Sequence, residues 1–146
     1  MTCQSKNPRY KSIVMTNNTS SQTLTSTPTP LTLVGTVITN TGVAINPETS
    51  GIEIAYPGSF LVTADVIFTA TTAGVVTLQL YSDGVALAES TISVTVPVGT
   101  TVINTSTVRR FIPNCQNPIS IQVYANTDGT AVGEVTKVTS KAIKLG

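Results

Sequence analysis

Side chains that could carry out chemistry are few in this 146-residue chain, and none lies in a pattern typical of catalysis. The sequence contains no histidine, which removes the commonest general base and the commonest ligand for transition metals. Two cysteines, Cys3 and Cys115, cannot form a structural zinc site by themselves. They are either two free thiols made in a reducing compartment or one bridge that ties Cys3 to the segment RFIPNCQNP.

The remaining candidates for catalysis also lack a suitable context. Lys137, Lys141 and Lys144 share one terminal segment, where no neighbour predicts activation of a serine nucleophile. The seven acidic residues are scattered singly, so no carboxylate pair for glycoside hydrolysis is predicted. There is no glycine-rich loop for phosphate. We therefore expect a protein that is not an enzyme and that needs no cofactor or metal.

Two groups of side chains could bind a ligand. Tyr56, Tyr81 and Tyr124 could stack on a sugar ring, although tyrosines on a β-sheet more often contribute to packing. Arg109 and Arg110 form the one local basic pair in the domain. On a strand these two side chains point to opposite faces. We expect one to be solvated and the other to pair with a carboxylate or lie at an interface, with an anion site as the alternative.

The elements that position these residues are predicted to be antiparallel β-strands. From Val75 to Tyr124 apolar and polar residues alternate through four segments, each closed by a turn signal. The dipeptide Asp83-Gly84 is typical of a two-residue hairpin, because a type I′ turn needs positive φ at both central residues. The chain predicts an all-β, two-sheet jelly-roll sandwich of eight to ten strands without a helix.

The strand from Ser59 to Ala70 has one apolar face and one mixed face. Its even positions form one continuous apolar face, whereas its odd positions are mixed rather than polar. An antiparallel strand with one face in water should alternate more cleanly, so we expect a second subunit to cover the odd face. The residues assigned to this contact are Leu61, Thr63, Ile67, Phe111, Ile143 and Leu145.

Residues 1–30 differ in composition from residues 31–146. They carry basic residues but no acidic one, and they include the polar run NNTSSQTLTSTPTP. Such a segment has too little apolar surface to fold alone. We therefore predict an extended N-terminal arm over residues 1–30, with the segment SIVM as its only apolar spot, and a head domain over residues 31–146.

Composition favours a rigid protein of the cell exterior or of a virus particle. Charged residues make up 10% of the chain, against roughly 25% in typical soluble domains. The net charge is +1, so no strong field attracts nucleic acid or an anionic membrane. No secretory signal or membrane span is predicted. We therefore expect that the protein is cleaved from a longer precursor or leaves the cell by another route, such as release of a virus particle by lysis.

Two segments resemble a known family. PGSFLVTADVIF resembles the strand G-x-Y/F-x-V-x-A-x-V of the C1q/TNF-like jelly roll. The segment VVTLQLYSDGVALAESTISVTVPVGTTVINTSTVRRFIPNC resembles versions from Gram-positive bacteria and their phages, such as the C-terminal domain of collagen-like spore-surface glycoproteins. The resemblance covers Leu31 to Gly146. It implies a compact homotrimer, with one sheet of each subunit around a three-fold axis, and no catalytic residues.

The chain has no Gly-X-Y collagen stalk, only the short basic arm. In this it resembles head-fibre or decoration proteins of tailed phages. That resemblance implies a virion protein on the capsid surface, made in the host cytoplasm, whose partners are its own copies and the major capsid protein. The alternative is a trimeric adhesin or fibre tip that recognises a cell-surface glycan. The capsid anchor is predicted at Lys6, Arg9, Tyr10, Lys11, Ile13 and Val14.

Overall fold

Two antiparallel β-sheets pack face to face in the computed structural model, which describes residues 11–113 and 116–146. The strands of the described residues are β1 (Ile13–Asn18), β2 (Gln22–Thr23), β3 (Thr29–Pro30), β4 (Thr36–Thr41), β5 (Ile45–Glu48), β6 (Gly51–Ile54), β7 (Gly58–Thr72), β8 (Gly74–Ser82), β9 (Val85–Ala86), β10 (Ile92–Val96), β11 (Gly99–Phe111), β12 (Ile119–Thr127) and β13 (Val132–Lys144). Ten of them have four residues or more, and the helical content of this part of the chain is one 3-10 turn at Ala88–Ser90. The all-β jelly-roll class predicted from the sequence is confirmed.

Each sheet combines strands that are distant in the chain. Sheet A has the order β11-β7-β13-β1-β4, with β2 paired to β13. Sheet B has the order β10-β8-β12-β6-β5, with β3 paired to β12 and β9 paired to β8. The core lies between the two sheets.

Strand β7 shows how the core is built. Its even residues from Phe60 to Ala70 are buried, while its odd residues are half-buried or exposed. Phe60 and Phe68 are fully buried. Full burial of a large apolar side chain stabilises a fold by about 1.5–3 kcal/mol, so the even face of β7 holds the two sheets together.

The hairpin between β8 and β9 is the one predicted at Asp83-Gly84. Asp83 has φ 49° and Gly84 has φ 78°, the positive values that a type I′ turn requires. The carboxylate of Asp83 also accepts a hydrogen bond from the backbone N–H of Ser120, at 2.9 Å between Oδ1 and N. The turn is thereby tied to the start of β12.

The N-terminal boundary differs from the prediction. Ile13–Asn18 forms β1, which pairs with β13 on one side and β4 on the other. Val14 is fully buried in the core. The prediction of an arm over residues 1–30 is therefore wrong at Ile13–Asn18. The sequence did not reveal this strand because its partners, β4 and β13, lie elsewhere in the chain. Cys3, Cys115, Lys6, Arg9 and Tyr10 lie outside the described residues.

Candidate functional site

The outer face of sheet A carries a row of apolar side chains that crosses four strands. Leu61 on β7 lies opposite Val108 on β11 and Ile143 on β13. Ile143 in turn lies opposite Ile13 on β1. Val108 is 65% exposed, and the other three are half-buried. These four residues, Val108, Leu61, Ile143 and Ile13, are called the apolar row below.

A second apolar pair lies on the same face, beyond a polar centre. Ile67 on β7 lies opposite Val102, which is 66% exposed. Between this pair and the apolar row, the Nδ2 of Asn104 donates a hydrogen bond to the Oδ1 of Asp65 at 2.6 Å. The face is therefore apolar toward both ends, with a hydrogen-bonded carboxylate in the middle.

Two lysines of β13 add positive charge to this face. Lys141 lies opposite Thr63, and Lys137 lies opposite Ile67. Both are half-buried, and neither forms an ion pair within the described residues. The face thus offers apolar area, the carboxylates of Asp65 and Glu134, the two unpaired ammonium groups and the Arg110 guanidinium to a partner; Glu134 lies opposite Thr69, and Arg110 lies opposite Ser59.

Four of the six residues predicted for the subunit contact lie together here, namely Leu61, Thr63, Ile67 and Ile143. Leu145 lies just beyond β13, is 55% exposed, and donates its backbone N–H to the carbonyl of Ser59 at 2.7 Å. Phe111 does not join them. It is 4% exposed, with its ring 6.0 Å from that of Phe60. The assignment of Phe111 to a contact is therefore wrong, because its place on β11 turns the ring into the core.

The described residues of the predicted capsid anchor lie in three different environments. Lys11 is exposed just before β1. Ile13 belongs to the apolar row, and Val14 belongs to the core. A buried valine cannot contact a capsid, so the assignment of Val14 to the anchor is wrong. Sequence reasoning missed Val108 and the place of Ile13 in the row, since neither follows from the pattern of one strand.

Of the two adjacent arginines, one pairs with a carboxylate and the other is solvated, as expected. Arg109 donates from Nη1 to Oε1 of Glu89 at 3.0 Å. A backbone N–H hydrogen bond, followed by the Arg109 guanidinium and the Thr107 hydroxyl, lowers the pKa of Glu89. Arg110 is exposed and has no ion-pair partner among residues 11–113 and 116–146. Both arginines line an open cleft of about 260 Å³ between the sheets.

Two further classes of site have no support in the described part of the chain. No group of three or more histidine, cysteine, aspartate or glutamate side chains among residues 11–113 and 116–146 could hold a metal ion. Within the same ranges there is no helix of the length and hydropathy needed to cross a membrane.

Comparison with known proteins supports the fold. No protein-family model and no curated protein sequence matches the chain. Among solved structures, murine APRIL at pH 8.5 aligns with a TM-score of 0.66 and 13% identity, over 93% of this chain and 100% of that chain. Vertex protein P5 of PRD1 aligns with a TM-score of 0.61 and 14% identity, over 92% of this chain and 97% of that chain. Both are jelly rolls, and at these identities the likeness concerns the fold alone.

Proposed function

We propose that this chain is a structural virion protein, a homotrimer that decorates the capsid of a tailed phage. The observation that carries the proposal is the apolar row on the outer face of sheet A. Contiguous exposed apolar surface on a folded domain marks a site of association. A fully buried aliphatic side chain contributes about 1.5–3 kcal/mol, so covering this row in each of three subunits favours assembly.

The charges on the same face suit contact between identical copies. Asp65 is the carboxylate at the centre of the face, and Lys137 and Lys141 lie on the adjacent strand. When two copies meet, the lysines of one can approach the carboxylate of the other. Such pairing fixes orientation more than it adds affinity, which suits a symmetric assembly.

The choice of a virion over another setting rests on the sequence together with one structural likeness. The chain is poor in charge and rich in threonine, serine and asparagine. One of the similar structures is described as a vertex protein of PRD1. APRIL has a similar fold, so the fold alone does not distinguish a virion protein from other proteins with a jelly roll. The proposed location is the capsid surface.

Attachment to the capsid is assigned to the residues that precede β1. Lys6, Arg9 and Lys11 supply positive charge, and Tyr10 supplies apolar surface. A contact made by so few side chains is weak on its own. Three such contacts on one trimer recover affinity through effective concentration. The proposed partner is the major capsid protein.

The proposed role is non-catalytic and requires no cofactor. This follows from the sequence, which has no histidine and no predicted pair of catalytic carboxylates. A hydrolytic turnover that survives purification and disappears on substitution of one residue would contradict this part of the proposal.

A second candidate, a trimeric adhesin that binds a surface glycan, is favoured by one observation. Tyr81 and Tyr124 form a stacked pair on the outer face of sheet B. That face is separate from the apolar row, so the two roles do not exclude each other.

The test of the first proposal is the mass of the full chain in solution and its recovery on particles. Native mass spectrometry at micromolar concentration should give a trimer for the wild type. Leu61→Asp and Ile143→Asp should give monomers, because each places a charge without a partner in the apolar row. Thr95→Asp, on the exposed edge strand β10 of sheet B, is the matched control and should remain trimeric. A stable wild-type monomer, or no recovery at symmetry-related capsid positions by electron cryo-microscopy, would overturn the proposal.

A further inference from the structure

The centre of the outer face of sheet B holds two tyrosines and two glutamines in a square. Tyr81 on β8 lies opposite Gln122 on β12, and Gln79 on β8 lies opposite Tyr124 on β12. The tyrosines occupy one diagonal, with ring centroids 3.7 Å apart and planes inclined by 11°. The glutamines occupy the other diagonal. Two aromatic rings are therefore bordered by two primary amides.

Each ring has one face outside the stack. The neighbour of Tyr81 on the next strand is Ala86, which offers only a methyl group, and the neighbour of Tyr124 is Pro30. Both neighbours are exposed, and both tyrosines are half-buried. An amphipathic ring that is apolar on its face and polar at its hydroxyl suits a ligand with the same character. A pyranose, with C–H groups on its faces and hydroxyls around its edge, is such a ligand.

The glutamine amides are available to a ligand. Neither Gln79 nor Gln122 makes a side-chain hydrogen bond to the described residues. Gln22 shows the contrast, since its amide donates to the carbonyl of Thr32 at 3.0 Å and accepts from the N–H of Thr32 at 2.6 Å. A primary amide carries both a donor and an acceptor, which matches neighbouring sugar hydroxyls. Gln79 and Gln122 are half-buried and have no buried side-chain atom without a partner, so both amides reach solvent, where a ligand can meet them.

The charges around the square select a neutral ligand. The basic residues of the described chain all lie in strands of sheet A or next to β1, at Lys11, Arg109, Arg110, Lys137, Lys141 and Lys144. None of these cations lies on a strand of sheet B, although Arg109 and Arg110 reach its edge, where they line the cleft with Ser82 and Val85. Two carboxyl groups border the square, since Asp83 follows Tyr81 by two residues and Glu53 lies opposite Ser120, two residues before Gln122. A sialylated or sulfated chain on the square itself would meet these two acids and no cation on the same strands.

From these observations we infer that the outer face of sheet B is a binding site for a neutral saccharide. Tyr81 and Tyr124 supply the stacking surface, and Gln79 and Gln122 supply the directional hydrogen bonds. The site deepens the second candidate function but does not depend on the trimer, because its four residues lie on two adjacent strands of one subunit. Three copies of the site on a trimer would raise the apparent affinity through multivalency.

The test uses the full chain and an array of neutral hexasaccharides built from glucose, galactose, mannose or N-acetylglucosamine, printed beside sialylated and sulfated chains of the same length. Wild-type protein should bind at least one neutral series and none of the acidic chains. The double substitution Gln79→Ala with Gln122→Ala should weaken that binding by about tenfold to thirtyfold, the loss expected for two neutral hydrogen bonds. Thr95→Ala, at the edge of the same face, is the control and should bind like the wild type.

Three outcomes would overturn the inference: no binding to any neutral chain, a preference for acidic chains, or unchanged binding after the double substitution. The variant Leu61→Asp separates this test from that of the trimer. If it is monomeric and still binds the neutral chain in solution by titration calorimetry, the saccharide site stands whatever the assembly does. If wild-type protein is trimeric but binds no saccharide, only the saccharide site is rejected.

Discussion

The hydroxyl of Ser12 accepts a hydrogen bond from the backbone N–H of Ala44, at 3.0 Å between Oγ and N. Ser12 is fully buried, and its carbonyl accepts a second bond from the N–H of Lys144 at 2.9 Å. The residue just before β1 is thereby joined to the loop before β5 and to the end of β13. The head therefore begins at Ser12 rather than near residue 31.

Two deletions distinguish this boundary from the one predicted by sequence. Removing residues 1–10 should leave the fold and the trimer intact and should abolish attachment to particles. Removing residues 1–20 also takes away β1, which lies between β13 and β4 in sheet A, and should prevent cooperative folding. Thermal unfolding by circular dichroism and pelleting with particles measure the two effects. A cooperative transition in the longer deletion would contradict the assignment of β1 to the head, and full attachment after the shorter one would move the anchor onto the jelly roll.

Phe68 should be among the most costly core residues to truncate. Its side chain is fully buried on the inner face of β7, so Phe68→Ala should lower the free energy of unfolding by about 3–5 kcal/mol. Val98→Ala, at a side chain 67% exposed, is the control and should change it by less than about 0.5 kcal/mol. Urea unfolding should be compared at one protein concentration, because assembly makes stability depend on concentration. Equal effects of the two substitutions would refute this account of the core.

Glu48 should make stability depend on pH in the direction opposite to most carboxylates. Burial, followed by the hydrogen bond and the charge of Glu53, raises its pKa above the ordinary value of 4.5. A raised pKa means that the folded state binds the proton more tightly than the unfolded state. The stabilising contribution is therefore present below pH 4.5 and is lost as the pH rises through the folded-state pKa.

The variant Glu48→Gln tests this sign. It should be more stable than the wild type at neutral pH, since the glutamine amide carries no charge to repel Glu53. The difference should shrink as the pH falls and Glu48 becomes protonated. Melting temperatures of both proteins across the acidic range measure the effect. If the stability of the wild type increases relative to that of Glu48→Gln as the pH rises, the predicted sign is wrong.

Gly133 on β13 should not tolerate a side chain. A Cβ at this position would lie 2.8 Å from the Cα of Ala70 and would also overlap the carbonyl oxygen of Thr69. Gly133→Ala should therefore destabilise the fold by about 1–3 kcal/mol through overpacking. Gly51→Ala should also be destabilising, because the added Cβ would lie 2.8 Å from the carbonyl oxygen of Ile121. Chemical denaturation of Gly133→Ala with a midpoint equal to the wild type would refute the close approach of β7 and β13.

The sequence by itself determined the fold class and most of the long strands. The predicted strand from Ser59 to Ala70 lies within β7, and the alternating segments predicted from Val75 to Tyr124 contain β10 and β11 and most of β8 and β12. Alternation of apolar residues is a property of each strand alone, because successive side chains point to opposite faces. The Asp83-Gly84 turn was predictable for the same reason, since its geometry depends on local backbone sterics.

Only the tertiary structure decided which strands are neighbours and what their outer faces present. The apolar row joins Ile13 to Ile143, residues at opposite ends of the chain, and the tyrosine stack joins Tyr81 to Tyr124 across two strands. Sequence reasoning placed Ile13 in an arm and did not predict that Tyr81 and Tyr124 stack on each other. Pairing and register are set by packing of the whole sandwich, where a shift of one residue would turn a buried face outward. No local pattern contains that information, so both candidate surfaces became visible only when the sheets were assembled.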